Sequence, residues 1–208
     1  ENLSLTIGAN AVYENDTLGV NKSFHLYPNV KADYTLSKSV NAYAGLTGDI
    51  DKVNLHSLSR ENRWVNSNIN IFNTNRSIEF LGGLKGKLGR KVGFETGFSV
   101  ANLKGLYFYQ NSAQDRSKFE VIYDAGNTKR LNVFAQLGYA HAESLKLTLR
   151  GDLFNYSTDK VAEALHRPTY RFVFSSSYNV YEKLLFNLDF IAQGGMKSQS
   201  FSLATVDP

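Results

Sequence analysis

The sequence contains no cysteine, which excludes disulfide bonds and thiolate metal sites. No run of apolar residues approaches the roughly eighteen that a membrane-spanning helix needs. The net charge is only +4 and the 19 acidic residues are interspersed with basic ones, so no basic cluster predicts nucleic-acid binding. The four histidines are scattered, and neither a phosphate loop nor a G-x-S-x-G motif occurs. We therefore predict no cofactor, no metal, no nucleic-acid partner and no enzymatic activity.

Apolar and polar residues alternate through nearly the whole chain. Ile78, Phe80 and Leu84 share one face of a predicted strand, and Glu79 and Lys85 share the other, because successive side chains point to opposite sides. The same pattern recurs in segments of roughly ten residues with charged residues on the polar face, which is typical of a transmembrane β-barrel. The predicted strands lie at 2–13, 28–37, 39–49, 77–88, 91–103, 129–141, 144–156, 168–180 and 183–196. We predict an all-β fold, an antiparallel transmembrane β-barrel built as a meander of about nine wall strands.

The predicted connectors alternate in length. Short turns at 37–38, 89–90, 142–144 and 180–182 alternate with long loops at 14–27, 50–76, 104–128 and 157–167, as periplasmic turns and extracellular loops do in outer-membrane barrels. Residues 118–124 also alternate, and we predict that they extend the wall or form a hairpin outside the membrane. Residues 55–62 are predicted to form one or two helical turns. Tyr34, Tyr139 and Tyr178 precede short turns on the apolar face, as in an interfacial aromatic girdle.

The strands do not make a complete barrel. Nine is an odd number, whereas bacterial single-chain barrels are usually even, and residues 197–208 resemble a loop. We therefore predict that residues 1–208 are a single β-barrel region of a larger barrel.

Four stretches resemble the barrel region of TonB-dependent outer-membrane receptors: LHSLSRENRWVNSNINIFNTNRSIEFLGGLKGKL, VGFETGFSV, LYFYQN and YSTDKVAEALHRPTYRFVFSSSYNVYEKLLFNLDF. The resemblance implies a bacterial outer-membrane location, contact with the lipid bilayer, and binding or uptake of a nutrient too large for porins. It also implies an energy-coupling protein that acts through a plug region. No plug pattern, energy-coupling box or final strand ending in an aromatic residue is visible, so we expect an excerpt that lacks an N-terminal plug and the final C-terminal strand or strands.

Two groups of residues are candidates for function. Loops carry aromatic rings with arginine partners, which suit a sugar or an aromatic ligand; against this, for any single residue, stands packing among the loops themselves or a girdle role for Trp64. These loop candidates are Arg60, Arg63, Trp64, Tyr107, Tyr109, His166 and Arg167, where His166 is also interpreted as a cap of the loop-to-strand junction. The polar faces of the strands predict a hydrated lumen or a structural polar wall. The lumen-facing candidates are Lys31, Asp33, Glu79, Lys85, Glu95, Arg150, Asp152, Arg171 and Asp189.

Three functions agree with these patterns. The first is an outer-membrane receptor or transporter that captures a nutrient with its long loops. The second is a soluble β-barrel that binds a small molecule or glycan, in which the apolar face is the core and Arg171 and Val173 meet water. The third is a structural or assembly protein of the outer membrane. The first two functions place the faces of the sheet in different environments: the polar face lines the lumen in the first and meets the surrounding water in the second.

Overall fold

The computed structural model describes residues 2–15, 22–142, 144–181 and 183–198, and the side chains of all of these except Asn15 and Lys22. Nine strands form one antiparallel sheet in the order β1-β2-β3-β4-β5-β8-β9-β10-β11, and β6 and β7 form a separate hairpin. The elements are β1 (Leu3–Asn15), β2 (Lys22–Ser37), β3 (Val40–Asp51), α1 (Leu55–Glu61), β4 (Thr74–Leu88), β5 (Val92–Lys104), β6 (Tyr107–Asn111), β7 (Phe119–Tyr123), β8 (Asn127–His141), β9 (Leu145–Ser157), β10 (Tyr170–Val180) and β11 (Leu184–Gly194).

The predicted meander is confirmed, with one correction to its first hairpin. All nine predicted wall strands are present, residues 119–123 pair with β6 outside the main sheet, and α1 lies within the predicted helical stretch. The prediction that 14–27 is a long loop with Pro28 at the start of a strand is wrong. β2 begins at Lys22 and pairs with β1 through Asn15, because Phe24 and Leu26 continue the apolar alternation. Pro28 is tolerated within β2 because the pairing of β2 with β3 begins only at Asn29, so the N–H that proline lacks is not needed for a hydrogen bond to β3.

The sheet has an apolar face and a polar face. Side chains on the apolar face are exposed, among them Leu5 at 57%, Phe80 at 46% and Phe190 at 60%. No described element covers this face, whereas a soluble barrel would use it as its core. Tyr34 and Tyr178 lie on it next to the short turns, as the girdle pattern predicts. None of the described helices is long and apolar enough to cross a membrane.

The buried core lies at the end of the sheet that carries the long connectors, which we call the loop end; the other end, with the tight turns, is the turn end. The hairpin β6-β7 and residues 158–169 fold against the polar face there. Buried apolar side chains join the wall to these loops: Ala101, Leu103, Leu106, Phe108 and Leu165. The loops are thus part of the folded core.

On the polar face, one pair of facing glycines is covered by a tyrosine. Gly83 of β4 pairs with Gly97 of β5, and the ring of Tyr43 lies over both. The Tyr43 hydroxyl donates to Glu95 Oε1 at 2.9 Å. A Cβ at Gly97 would lie 2.6 Å from the Gly82 carbonyl oxygen and 2.8 Å from Tyr43 Oη. Glycine is required at this position because the tyrosine occupies the space.

Candidate functional site

The helix α1 presents the first residues of the site. Asn54 caps it: the Asn54 side chain accepts from the Ser57 backbone N–H at 2.8 Å, and Ser57 Oγ accepts from the Asn54 N–H at 3.1 Å. Leu58 is fully buried and anchors the helix against the loops. Helix α1 therefore holds Arg60 and Glu61 in fixed positions at the loop end.

Glu61 ties three connectors together. Its carboxylate accepts from the Tyr107 hydroxyl at 2.5 Å and from Arg167 Nη1 at 2.9 Å. Arg167 Nη2 donates to the Tyr107 carbonyl oxygen at 2.8 Å, and its guanidinium carbon lies 4.4 Å from the centre of the Tyr107 ring. Burial raises the pKa of Tyr107 to about 12, with a further contribution from the bond to Glu61, against the opposing charge of Arg167. The Tyr109 hydroxyl donates to the Leu58 carbonyl oxygen at 3.3 Å and lies the same distance from Glu61.

A second carboxylate, Asp124, clamps the hairpin to the 158–169 loop. It is fully buried and accepts from the Thr128 hydroxyl at 2.7 Å and from the backbone N–H groups of Gly126, Asp159 and Lys160 at 3.2, 3.0 and 2.9 Å. Burial alone would raise the pKa of Asp124, but these four hydrogen bonds outweigh it and lower the pKa to about 2. The clamp fixes the loop that carries His166 and Arg167.

Between the loops and the polar face lies a cavity of about 780 Å³, which we call the loop-end cavity. It combines four arginines with six aromatic or imidazole rings. Its main lining residues are Arg60, Glu61, Trp64, Tyr109, Phe119, Arg130, Phe154, Tyr156, His166, Arg167 and Arg171. Six of the sequence-predicted residues therefore come together: Arg60, Trp64, Tyr109, His166, Arg167 and, from the polar face, Arg171. Arg63 does not line the cavity, and Tyr107 supports Arg167 from beneath.

The arginines of the cavity differ in how far they are already neutralised. Arg167 pairs with Glu61, and Arg130 pairs with Glu79 at 3.3 Å. Arg60 and Arg171 form no ion pair with any described residue. The Nε atoms of Arg130 and Arg167 are buried and have no hydrogen-bond partner among the described residues. The cavity thus offers spare cationic donors beside aromatic faces, which suits an anion that carries a planar group.

His166 joins the loop to the cavity through its backbone. Its φ is +56°, and its N–H donates to the Lys197 carbonyl oxygen at 2.9 Å. Its ring packs edge-on against Phe119 with the centroids 5.0 Å apart, and burial lowers its pKa. The ring Nε2 is buried without a hydrogen-bond partner among the described residues. The junction is therefore held by the backbone of His166, while its imidazole faces the cavity.

Six of the nine lumen-facing candidates have side-chain partners on the polar face, and four of them pair with one another. Lys85 contacts Asp33 at 2.6 Å, Arg150 contacts Asp152 at 2.8 Å, and Glu79 accepts from Arg76 at 2.8 Å. Glu95 accepts from Tyr43, as described above. Register places the others on the same face without a described ion pair, namely Lys31, Arg171 and Asp189.

Several residues of the site were not predicted from the sequence. Glu61 lies in the predicted helical stretch, and its position beside Arg60 was a usable signal. The alternation of the strands puts three more residues on the polar face, namely Arg130, Phe154 and Tyr156. The alternation does not show that they lie close enough to the loop end to line the cavity. No local pattern marks Asp124, because its partners lie up to 36 residues away.

Solved structures of two complexes share the fold. One is the pyoverdine outer-membrane receptor FpvA from Pseudomonas aeruginosa PAO1 bound to pyoverdine, with a TM-score of 0.56 and 13% identity over 87% of this chain. The other is the FpvAI-pyocin S2 complex, with a TM-score of 0.55 and 15% identity over 89% of this chain. The chain has the barrel-wall fold of the TonB-dependent outer-membrane receptors.

The likeness covers only part of each matched chain. The chain spans 26% of the length of each of the two matched chains. No protein-family model matches the sequence, and no curated protein does. At these identities the likeness concerns the fold, and the loop-end cavity is a feature of this chain's own residues.

Proposed function

We propose that the chain is part of the wall and extracellular loops of a bacterial outer-membrane receptor that takes up a nutrient ligand. The ligand is held in the loop-end cavity. In this proposal the apolar face contacts the lipid bilayer and the loop end faces the exterior. An energy-coupling protein acts through a plug region that is separate from residues 1–208, and the chain is a single barrel region without enzymatic activity.

The observation that carries the proposal is the composition and position of the cavity. Its walls come from α1, the hairpin, the 158–169 loop and the polar face, so a molecule in it contacts both the capture loops and the wall. Arg60 and Arg171 supply free positive charge, and Trp64 supplies an exposed ring at 67% exposure. A purely structural wall protein has no need for such a cavity.

The exposed apolar face separates this proposal from the soluble binding barrel. Burying a Leu or Phe side chain contributes about 1.5–3 kcal/mol, so rows of exposed ones require a covering medium. Lipid supplies it along the whole strand length, and Tyr34 and Tyr178 beside the short turns fit an interface of a bilayer. Circular dichroism and sedimentation with and without micelles test this step: a compact monomer in plain buffer would contradict the membrane location.

Trp64 allows a direct test of ligand binding because it is the only tryptophan of the chain and lines the cavity. We expect 2,3-dihydroxybenzoate, used as an anionic aromatic probe, to change the tryptophan fluorescence of the micelle-folded protein in a saturable way. Benzyl alcohol, an uncharged aromatic probe, serves as the comparison and should bind more weakly. The variant Arg171→Gln should weaken binding of the anionic probe, since it removes an unpaired cation of the cavity.

Lys104→Gln is the matched control, because Lys104 is exposed in β5 and does not line the cavity. It removes the same charge without touching the cavity. An equal loss of affinity in both variants, or no saturable change with either probe, would contradict a ligand site in the loop-end cavity.

A further inference from the structure

A second pair of facing glycines lies on the polar face near the turn end. Gly93 of β5 pairs with Gly138 of β8. A Cβ at Gly93 would have only the Gly86 carbonyl oxygen within reach, at 3.7 Å, and a Cβ at Gly138 only the Leu147 carbonyl oxygen, at 4.0 Å. No described side chain covers these two glycines, unlike Gly83 and Gly97. They form the floor of an open depression.

Two adjoining cavities of about 540 and 350 Å³ meet over this floor and share Gly93, Gly138 and Lys87. The cations that line them come from β4, β9 and the short turns: Lys38, Lys85, Lys87, Arg90, Lys91 and Lys146. Lys87 and Lys146 point to the polar face by register, since Lys87 is opposite Gly93 and Lys146 is opposite Ala140. The depression is thus surrounded by positive charge on the same side of the sheet as the loop-end cavity.

Within the described residues the charge is largely uncompensated. Of these, Glu95 is the only acidic one that lines either cavity, and it already accepts from Tyr43. Lys85 pairs with Asp33, and Lys91 contacts His141 Nδ1 at 2.7 Å, where the imidazole supplies no negative charge. The other four cations form no ion pair with any described residue. Mutually repelling cations around an open floor are stabilised by a bound anion.

We propose that the turn end of the polar face is an oxyanion site, in which Lys87 and Lys146 bind a phosphate or carboxylate group lying over Gly93 and Gly138. The glycines let the anion approach the sheet closely, and the lysine side chains reach it from two sides as mobile donors. This site is separate from the ligand site of the loop-end cavity and does not depend on it. The bound phosphate or carboxylate group reaches the site from the lumen side of the wall.

Inorganic phosphate is the probe for this site. Its binding to the micelle-folded full chain is followed by phosphorus NMR line broadening at an ionic strength held constant with chloride. We expect saturable binding in the millimolar range and a loss of about fivefold to tenfold in affinity for Lys87→Gln and for Lys146→Gln. Lys104→Gln, the control at the loop end of β5, should leave the affinity unchanged.

Gly138→Val tests the floor without changing the charge. It should abolish phosphate binding while strand content by circular dichroism remains the same, because the added side chain points into the open depression. Unchanged binding in Gly138→Val, or an equal loss in Lys104→Gln, would show general attraction to a basic surface and overturn the proposal.

A last comparison distinguishes free oxyanions from lipid headgroups. In nanodiscs, phosphate affinity should be the same with phosphatidylglycerol as with phosphatidylcholine, since the site faces the lumen. Displacement of phosphate by phosphatidylglycerol would overturn the placement on the polar face. Trp64 fluorescence should not respond to phosphate at these concentrations, so the outcome is independent of the ligand site at the loop end.

Discussion

The loop end and the turn end of the polar face both concentrate positive charge, but they hold it in different ways. At the loop end, Arg167 and Arg130 are fixed by carboxylates and packed among rings. At the turn end, Lys87 and Lys146 are exposed and unpaired among the described residues, around a floor of glycines. The positive groups are therefore held in fixed positions at the loop end and are surrounded by solvent at the turn end.

This difference determines how selectively each end can bind an anion. Fixed guanidinium groups beside aromatic faces impose geometry on a ligand and are weakly screened, since water is largely displaced from them. Flexible lysines in water attract any small oxyanion and lose strength as salt rises. We expect selectivity at the loop end and low-affinity attraction at the turn end.

The largest effect is expected from removing the clamp that preorganises the loop end. Asp124→Ala leaves the backbone N–H groups of Asp159 and Lys160 without their acceptor, which destabilises the attachment of the 158–169 loop by about 2–4 kcal/mol. Hydrogen exchange in this loop should accelerate, and binding of the aromatic anion should be lost. Asp115→Ala is the control, because the carboxylate of Asp115 is exposed and its described contacts stay within its own turn, with Ser117 and, at 3.9 Å, with Lys118. Equal exchange in the two variants would contradict the clamp.

The same carboxylate predicts a response to acid. The pKa of Asp124 is lowered from 3.8 to about 2 in the folded protein, so its stabilising contribution is fully present above about pH 4. It is lost as the pH falls through the folded value near 2. Loop exchange corrected for its intrinsic pH dependence should thus rise only below pH 4 in the unmodified protein and stay constant in Asp124→Asn. A rise between pH 5 and 7 that Asp124→Asn abolishes would contradict this assignment.

The second effect in size compares the two glycine pairs. Gly97→Ala brings a Cβ within 2.6 Å of a carbonyl oxygen and displaces Tyr43, so it should lower the free energy of unfolding by about 1–3 kcal/mol. Gly138→Ala meets nothing closer than 4.0 Å and should leave stability within about 0.5 kcal/mol. Urea unfolding in micelles measures both variants. Equal destabilisation by the two substitutions would contradict the view that Tyr43 fills the space above Gly97 while the space above Gly138 is open.

A smaller effect is expected from alkali at the loop end. The pKa of Tyr107 is raised from 10.0 to about 12, so the neutral phenol donates to Glu61 throughout the neutral range. Its contribution to stability is present below pH 10 and is lost as the pH rises toward 12. The Tyr107→Phe variant should show a flatter dependence of loop exchange on pH over this interval, after the same intrinsic correction. Identical profiles for the two proteins would contradict the assignment.

The sequence predicted the meander and the faces of the wall, because side-chain alternation is a local property. The prediction is wrong at the first hairpin, where it starts the second strand at residue 28 although Phe24 and Leu26 already continue the alternation. It identified Arg60, Trp64 and Arg167 as binding candidates. It could not show that Arg167 meets Glu61, since 106 residues separate them and only the folded loops bring them together.

The smallest effect is expected from an exposed ion pair at the edge of the turn-end depression. Lys85 and Asp33 contact each other at 2.6 Å on the polar face, with their side chains 47% and 46% exposed. Exposed pairs contribute about 0.2–1 kcal/mol, because water screens the attraction and ordering two long side chains costs entropy. Lys85→Gln should therefore change the urea midpoint very little, and added salt should remove even that difference. A loss comparable with that of Gly97→Ala would contradict the screening of this pair by solvent.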